Sequence, residues 1–293
     1  MSRVKDFVKQ ELTLCAAFAA ALVSCFFVPP DGAYWSYIDF RTLALLYCLM
    51  ASFLTEKQIF GKVIFPSSFY TQNYVNALQQ APLFRFILNS VIVSGVCTFL
   101  QLFTGSLAGY AFGCLKFKGQ NIIFKVFLAT MMIPGNAIII SNYLTVSGWG
   151  LIKSNTLWPL IIPYMTSAFC VFNMRQAYKS LPKDLSEAAE IDGCNTFQFF
   201  YRVAMPLTLP ALGAAGIQTF LSVWNQYLWP LLVTNTVNCR TVQLGIGMLQ
   251  NADGQAFGTI MAGTTIVMIP SLLVFIIGQK TLISGLTAGA VKG

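Results

Sequence analysis

Five apolar stretches follow one another from Phe86 to the end of the chain, roughly Phe86–Gly113, Ile122–Asn142, Leu157–Met174, Leu207–Val233 and Phe257–Gly278. Each is long enough to cross a hydrocarbon core as helix, which takes about 17–25 residues. Charges sit at their edges, and Lys125, in the first turn of the second stretch, is the only charged side chain inside any of them. A soluble domain needs about 25% charged residues to cover its surface; this chain has 10%, against 56% apolar. The pattern therefore predicts an all-α polytopic membrane protein. No charge lies at mid-membrane, where one would mark an ion or proton path.

Composition removes several chemistries. With no histidine, histidine-based nucleophile pairs, zinc sites and proton relays are excluded. The eight cysteines form no C-x-x-C pair and lie mostly in apolar runs, where they act as small hydrophobes. No metal site and no cofactor are expected. The net charge of +8 comes from scattered basic residues between apolar runs, the positive-inside bias of a membrane protein rather than a nucleic-acid surface.

Loop charges give the orientation. Lys116, Lys118 and Lys125 cluster in one loop; Arg175, Lys179, Lys183 and Arg202 in another; Lys280 and Lys292 in the tail. The alternate loops carry only Lys153, or Arg240 with Asp253. Acids count for little in this rule, so the first group faces the cytoplasm and the C-terminus lies inside. Toward the N-terminus, Leu12–Val28 and Thr42–Leu54 are both apolar and both short. If both cross, the basic N-tail lies outside against its charge; if one crosses, the total is six spans, which the charge bias favours. Segment 55–85 is polar to mixed and predicts an extracytoplasmic loop with one or two short amphipathic helices.

One loop has unusual internal order. Between the third and fourth long stretches, Asp184 and Glu187 have capping-box spacing and Pro182 precedes them. A helix is expected from Leu185 to about Asp192, stopped by Gly193 as a C′ glycine. Asn195 and Gln198 form a second capping pair, opening a helix through Phe199, Phe200 and Val203 that ends near Pro206. Two short helices joined by a glycine make a rigid cytoplasmic knob. Ala188 and Ala189 keep one side small enough for another surface to approach closely. Residues alone leave a plain helical linker as open as a docking element.

Glu187-Ala188-Ala189, Gly193 four residues on, and Met205-Pro206-Leu207 resemble the E-A-A-x-x-x-G-x(9)-I-x-L-P loop of binding-protein-dependent ABC importer permeases. Val203 and Met205 replace the isoleucine and leucine with residues of similar bulk. Phe86-Ile87-Leu88-Asn89-Ser90, LAGYAFGCLKFKG, ATMMIP, VWNQYLWPLLV and the terminal GLTAGAVKG are similar to the maltose-type carbohydrate permeases of that family. The likeness covers about 52–293, taken as the permease domain. Residues 1–51 depart from it as an atypical N-terminal membrane segment. There VPPDGAYWSYIDFRTLALLYCLM resembles part of a citrate–arsenite type anion permease, which suggests a fusion or a misassembled reading frame.

The resemblance implies a bacterial-type inner-membrane subunit that is not itself an enzyme. It also implies separate ATP-binding cassette subunits, a second permease subunit and an extracytoplasmic solute-binding protein, with no nucleic acid. In such importers Glu187 contacts the ATPase, Ala188 and Ala189 permit close approach, and Gly193 makes the turn; Asp192 and Pro206 belong to the same coupling stretch. No G-x-x-x-x-G-K-[ST] occurs, so the chain lacks a phosphate-binding loop of its own. For the solute path, Asn225, Gln226, Tyr227 and Trp229 interrupt an apolar stretch with amide and aromatic groups suited to sugar hydroxyls and rings. They serve equally well as interhelical hydrogen bonds. A sugar or oligosaccharide is the expected solute; a glycerol phosphate or polyol ester, or a self-contained facilitator or channel, are the alternatives.

Overall fold

The computed structural model describes residues 44–61, 69–249 and 257–287. Contacts divide the chain into Met1–Met50 and Ala51–Gly293. Of the first unit, residues 44–50 are described and are helical; Leu12–Val28 lies outside the described residues. The second unit contains helices and no strand among the described residues.

Its principal helices are α1 (Gln72–Gln80), α2 (Leu83–Cys114), α3 (Gln120–Thr130), α4 (Ile139–Gly148), α5 (Ala168–Lys179), α6 (Lys183–Ile191), α7 (Thr196–Phe199), α8 (Leu209–Trp224), α9 (Leu228–Val233), α10 (Val242–Met248) and α11 (Phe257–Thr287). Helix α1 and the short helix Glu56–Phe60 are the two short helices expected in segment 55–85. α2 and the first 23 residues of α11 are unbroken and apolar enough to cross a membrane.

Elsewhere the apolar stretches do not run as single rods. α3 and the segment Gly135–Gly148 meet at 87°. The break falls at Pro134, which has no N–H to continue the ladder and forces the preceding residue out of helical space. The Leu157–Met174 stretch divides into a helix at Trp158–Ile161, a tight turn at Ile162–Tyr164 and, after Met165–Ser167, helix α5. Leu207–Val233 divides into α8 and α9 around Asn225–Tyr227. Hydropathy counts apolar residues and is blind to a few residues of irregular backbone between them.

Helix α2 is the spine. It packs on α5 along one side and on α8 along another, while α8 also packs on α11. In a membrane no hydrophobic force drives helices together, so close contact depends on small residues. Gly105, Gly109 and Gly113, spaced by four, face Cys170, Met174 and Tyr178, also spaced by four. A Cβ at Gly109 would stand 2.6 Å from the Met174 Cβ and 2.9 Å from the Arg175 backbone nitrogen. Ser106 and Tyr178 share a hydrogen bond of 2.6 Å between their hydroxyls, beside this seam. At 1.5 Å per residue, the 32 residues of α2 reach about 48 Å, more than the about 30 Å of a hydrocarbon core. The helix is therefore longer than the apolar layer is thick, and Tyr110 near its C-terminal end meets the knob.

Candidate functional site: a coupling surface and a solute path

The knob begins two residues earlier than its sequence suggests. α6 starts at Lys183 with Pro182 as N-cap, and no side chain caps it. Asp184 is thus inside the first turn, where a carboxylate complements the helix dipole, and the Asp184–Glu187 capping box is not made. The helix stops as expected. Gly193 has φ +73°; its N–H donates to the Glu190 carbonyl at 3.0 Å, and the Cys194 N–H donates to the Ala189 carbonyl at 2.9 Å. This pair of bonds is a Schellman closure, which needs a left-handed residue at C′.

The second helix is capped as its sequence predicts. The Gln198 N–H donates to Asn195 Oδ1 at 2.8 Å, and the Asn195 N–H donates to Gln198 Oε1 at 2.9 Å. Beyond α7 the chain widens into a π-helical turn, Phe200–Ala204, and then a short helix, Met205–Leu207, with Pro206 at its start where its missing N–H costs nothing. The helix ends one residue past Pro206, as its sequence predicts, and the knob joins α8 at Thr208 with a bend of 73°.

The inner face of the knob is locked to the bundle. Ala189, Phe199, Phe200 and Ala204 are buried with Tyr110, Cys170, Met174 and Tyr178. Rings of Tyr110 and Phe200 lie 5.0 Å apart, and the Tyr110 hydroxyl donates to the Thr196 carbonyl at 3.1 Å. A force applied to the knob thus reaches α2 and α5 through packed rings rather than a flexible tether. The outer face is open and carries two large apolar side chains: Ile191 is 87% exposed and Phe197 65%. Glu187, Ala188, Asp192 and Pro206 are exposed as well. The two alanines separate: Ala188 faces outward, whereas Ala189 is what lets α6 lie close against its own bundle.

The candidate path residues also divide. Asn225 caps the end of α8, and its Oδ1 accepts from Gln243 Nε2 at 3.3 Å. Tyr227 is half exposed. Trp229 is buried; its Nε1–H donates to the Pro159 carbonyl at 3.1 Å, and its ring meets Tyr164 edge-on. Asn225 and Tyr227 are exposed, while Trp229 packs α9 against the preceding segment. Next to them is a cavity of about 270 Å³ lined by Gln101, Tyr164, Ser167, Gln218, Ser222 and Gln226, among others. Of these, the sequence alone points only to Gln226. The signal was available: Gln218, Ser222 and Gln226 recur every four residues, the spacing of one helix face.

Long apolar helices around a small-residue seam, with a capped helix pair packed at one end, define a multi-pass integral membrane protein. The chain belongs to the family of binding-protein-dependent transport system inner membrane components, whose profile matches residues 101–287; it is a permease subunit. Its relatives include the arabinooligosaccharides transport system permease protein AraQ of Bacillus subtilis, 37% identical over 72% of this chain and 74% of that protein. The trehalose/maltose transport system permease protein MalG of Thermococcus litoralis is 30% identical over 85% of this chain and 90% of its own length. That second match leaves about 15% of the 293 residues unmatched, so it takes in part of 1–51. The same fold occurs in a bacterial ABC transporter involved in import of the acidic polysaccharide alginate (TM-score 0.73, 20% identity, 92% of this chain and 96% of that one).

Proposed function

We propose that this chain is one of two transmembrane subunits of an ATP-driven importer that receives a sugar or oligosaccharide from an external solute-binding protein. Residues 52–293 are the permease domain and 1–51 an added membrane segment, with the C-terminus in the cytoplasm. The exposed Ile191 and Phe197 on a rigid, capped helix pair carry the reading. Large apolar side chains grouped on a projection are a protein-docking footprint. Here the opposite side of the same projection is packed into α2 and α5.

In this reading Glu187, Ala188, Asp192, Gly193 and Pro206 belong to the surface that meets an ATP-binding cassette subunit. Nucleotide-driven closure of two such subunits moves the knob as a lever and switches the bundle between inward- and outward-open states. The sugars named for AraQ and MalG, together with uncharged amide and ring groups at Asn225 and Tyr227, favour a carbohydrate over a polyol phosphate.

Co-expression with its neighbouring transport genes and uptake assays in membrane vesicles test it. The expected result is co-purification with an ATPase, plus ATP-dependent uptake of at least one of labelled lactose, maltotriose and arabinotriose. Uptake that continues without any ATP-binding partner would make the chain a self-contained facilitator instead. ATP-dependent uptake of glycerol 3-phosphate alone would overturn the choice of solute.

A further inference from the structure

Two interruptions of the apolar stretches meet at one place. The first, Met165–Ser167, separates the turn at Ile162–Tyr164 from α5; the second, Asn225–Tyr227, separates α8 from α9. Irregular backbone at membrane depth persists only where protein buries it or where it lines a water-filled cavity. Both interruptions contribute to the wall of the same cavity, through Thr166 and Ser167 on one side and Gln226 on the other, with Tyr164 and Ser222 beside them. Gln101 of α2 closes the back: it is buried, and its Nε2 donates to the Tyr164 carbonyl at 2.7 Å. That bond satisfies one carbonyl which the irregular turn leaves without a helical partner.

The remaining polar groups have no such internal employment. Among the described residues the side chains of Gln218, Ser222 and Gln226 take no hydrogen bond from the chain. Gln218 and Ser222 are exposed and Gln226 half-buried. An amide or hydroxyl facing lipid without a partner is costly, so Gln218 and Ser222 on one face of α8, with Gln226 just past its end, need water or a polar ligand opposite them. The wall holds amide and hydroxyl groups and no charged residue. An anion entering it would give up hydration with no cation to receive it, whereas a sugar hydroxyl finds both donors and acceptors in each glutamine amide. The volume, about 270 Å³, lies below the roughly 300–1,000 Å³ of sites that enclose a drug-sized ligand. This suits a station touched by one sugar ring on its way through.

We propose that Gln218, Ser222 and Gln226, with Gln101 behind them, form a water-filled contact station for an uncharged carbohydrate on the translocation path, at the point where the two helix interruptions meet. The proposal rests on the importer reading for its solute, but its geometry is tested separately.

In the assembled importer, Gln218→Cys and Ser222→Cys are exposed to a charged, membrane-impermeant methanethiosulfonate, and labelling is read by mass on the peptide carrying the substitution. Ile277→Cys, on the exposed apolar face of α11, is the control. The expected result is labelling of Cys at 218 and 222 and none at 277. Failure of both to label, with the complex intact, means that a neighbouring subunit's helix covers them and overturns the station. Labelling reads water access whether or not ATP drives transport, so its failure and failure of the importer reading are told apart.

The second arm uses whichever of lactose, maltotriose or arabinotriose is carried in the uptake assay. Ser222→Ala and Gln218→Ala should each raise KM for uptake about threefold to tenfold, the usual worth of one hydrogen bond, with membrane abundance unchanged. Unaltered KM in both variants overturns the contact role.

Discussion

Replacing Gly109 by alanine should separate the spine from α5. The new Cβ would lie 2.6 Å from the Met174 Cβ and 2.9 Å from the Arg175 backbone nitrogen, whereas carbon atoms pack best at about 3.5–4.0 Å. The helices must therefore part by about 1 Å. Overpacking of this kind costs about 1–3 kcal/mol, and the Ser106–Tyr178 bond beside the seam stretches with it, a further loss averaging about 0.6 kcal/mol in membranes. At roughly 2–4 °C per kcal/mol for a chain of this size, the melting temperature of the purified assembly should fall by about 3–14 °C. Gly105 gives an internal comparison. Its first obstacle is the Cys170 Sγ at 2.5 Å, which is removable, so Gly105→Ala with Cys170→Ala should recover much of the loss of Gly105→Ala alone. The obstacle at Gly109 includes backbone, and Met174→Ala should rescue little. Gly95→Ala meets nothing within 4 Å and should be neutral or slightly stabilising, because alanine is the better helix former. Equal melting temperatures for Gly109→Ala and Gly95→Ala would refute the seam.

Three other substitutions address the knob and the path. Gly193→Pro cannot adopt φ +73° and loses the N–H that bonds Glu190; uptake should fall to background while ATPase activity persists, and Gly193→Asn, which tolerates the left-handed region, should retain both. Ala188→Leu, on the open face, should weaken co-purification with the ATPase but leave the melting temperature unchanged. Ala189→Leu, inside the ring cluster, should lower that temperature by an amount worth about 1–3 kcal/mol. Trp229→Phe deletes the bond to the Pro159 carbonyl and should cost about 1–2 kcal/mol of stability without altering KM for the transported sugar; a changed KM would put Trp229 in the path.

What the sequence made legible follows from how local the physics is. Gly193 and the Asn195–Gln198 pair are written within four residues of the bonds they make, and both motifs form as read. The Asp184–Glu187 pair has the same spacing but no bond, because Pro182 already holds the chain in the extended geometry of an N-cap and the helix starts before Asp184. The seam was half visible: clustered glycines announce close approach, yet only the fold shows that they oppose Cys170, Met174 and Tyr178. The helix interruptions at Met165–Ser167 and Asn225–Tyr227 were hidden, since the flanking residues are apolar enough to read as one span. The cavity was hidden with them. It takes residues from positions 101 to 226, and no window along the chain joins those.

The central claim is that the Lys183–Leu207 knob projects into the cytosol and meets a nucleotide-driven partner. It is tested most directly by labelling Ile191→Cys with a membrane-impermeant maleimide from either side of the membrane. The expected result is labelling in inside-out vesicles stripped of peripheral subunits, loss of that labelling when the ATP-binding subunit is restored, and none in intact cells. Labelling from outside intact cells, or labelling indifferent to the ATP-binding subunit, would contradict it.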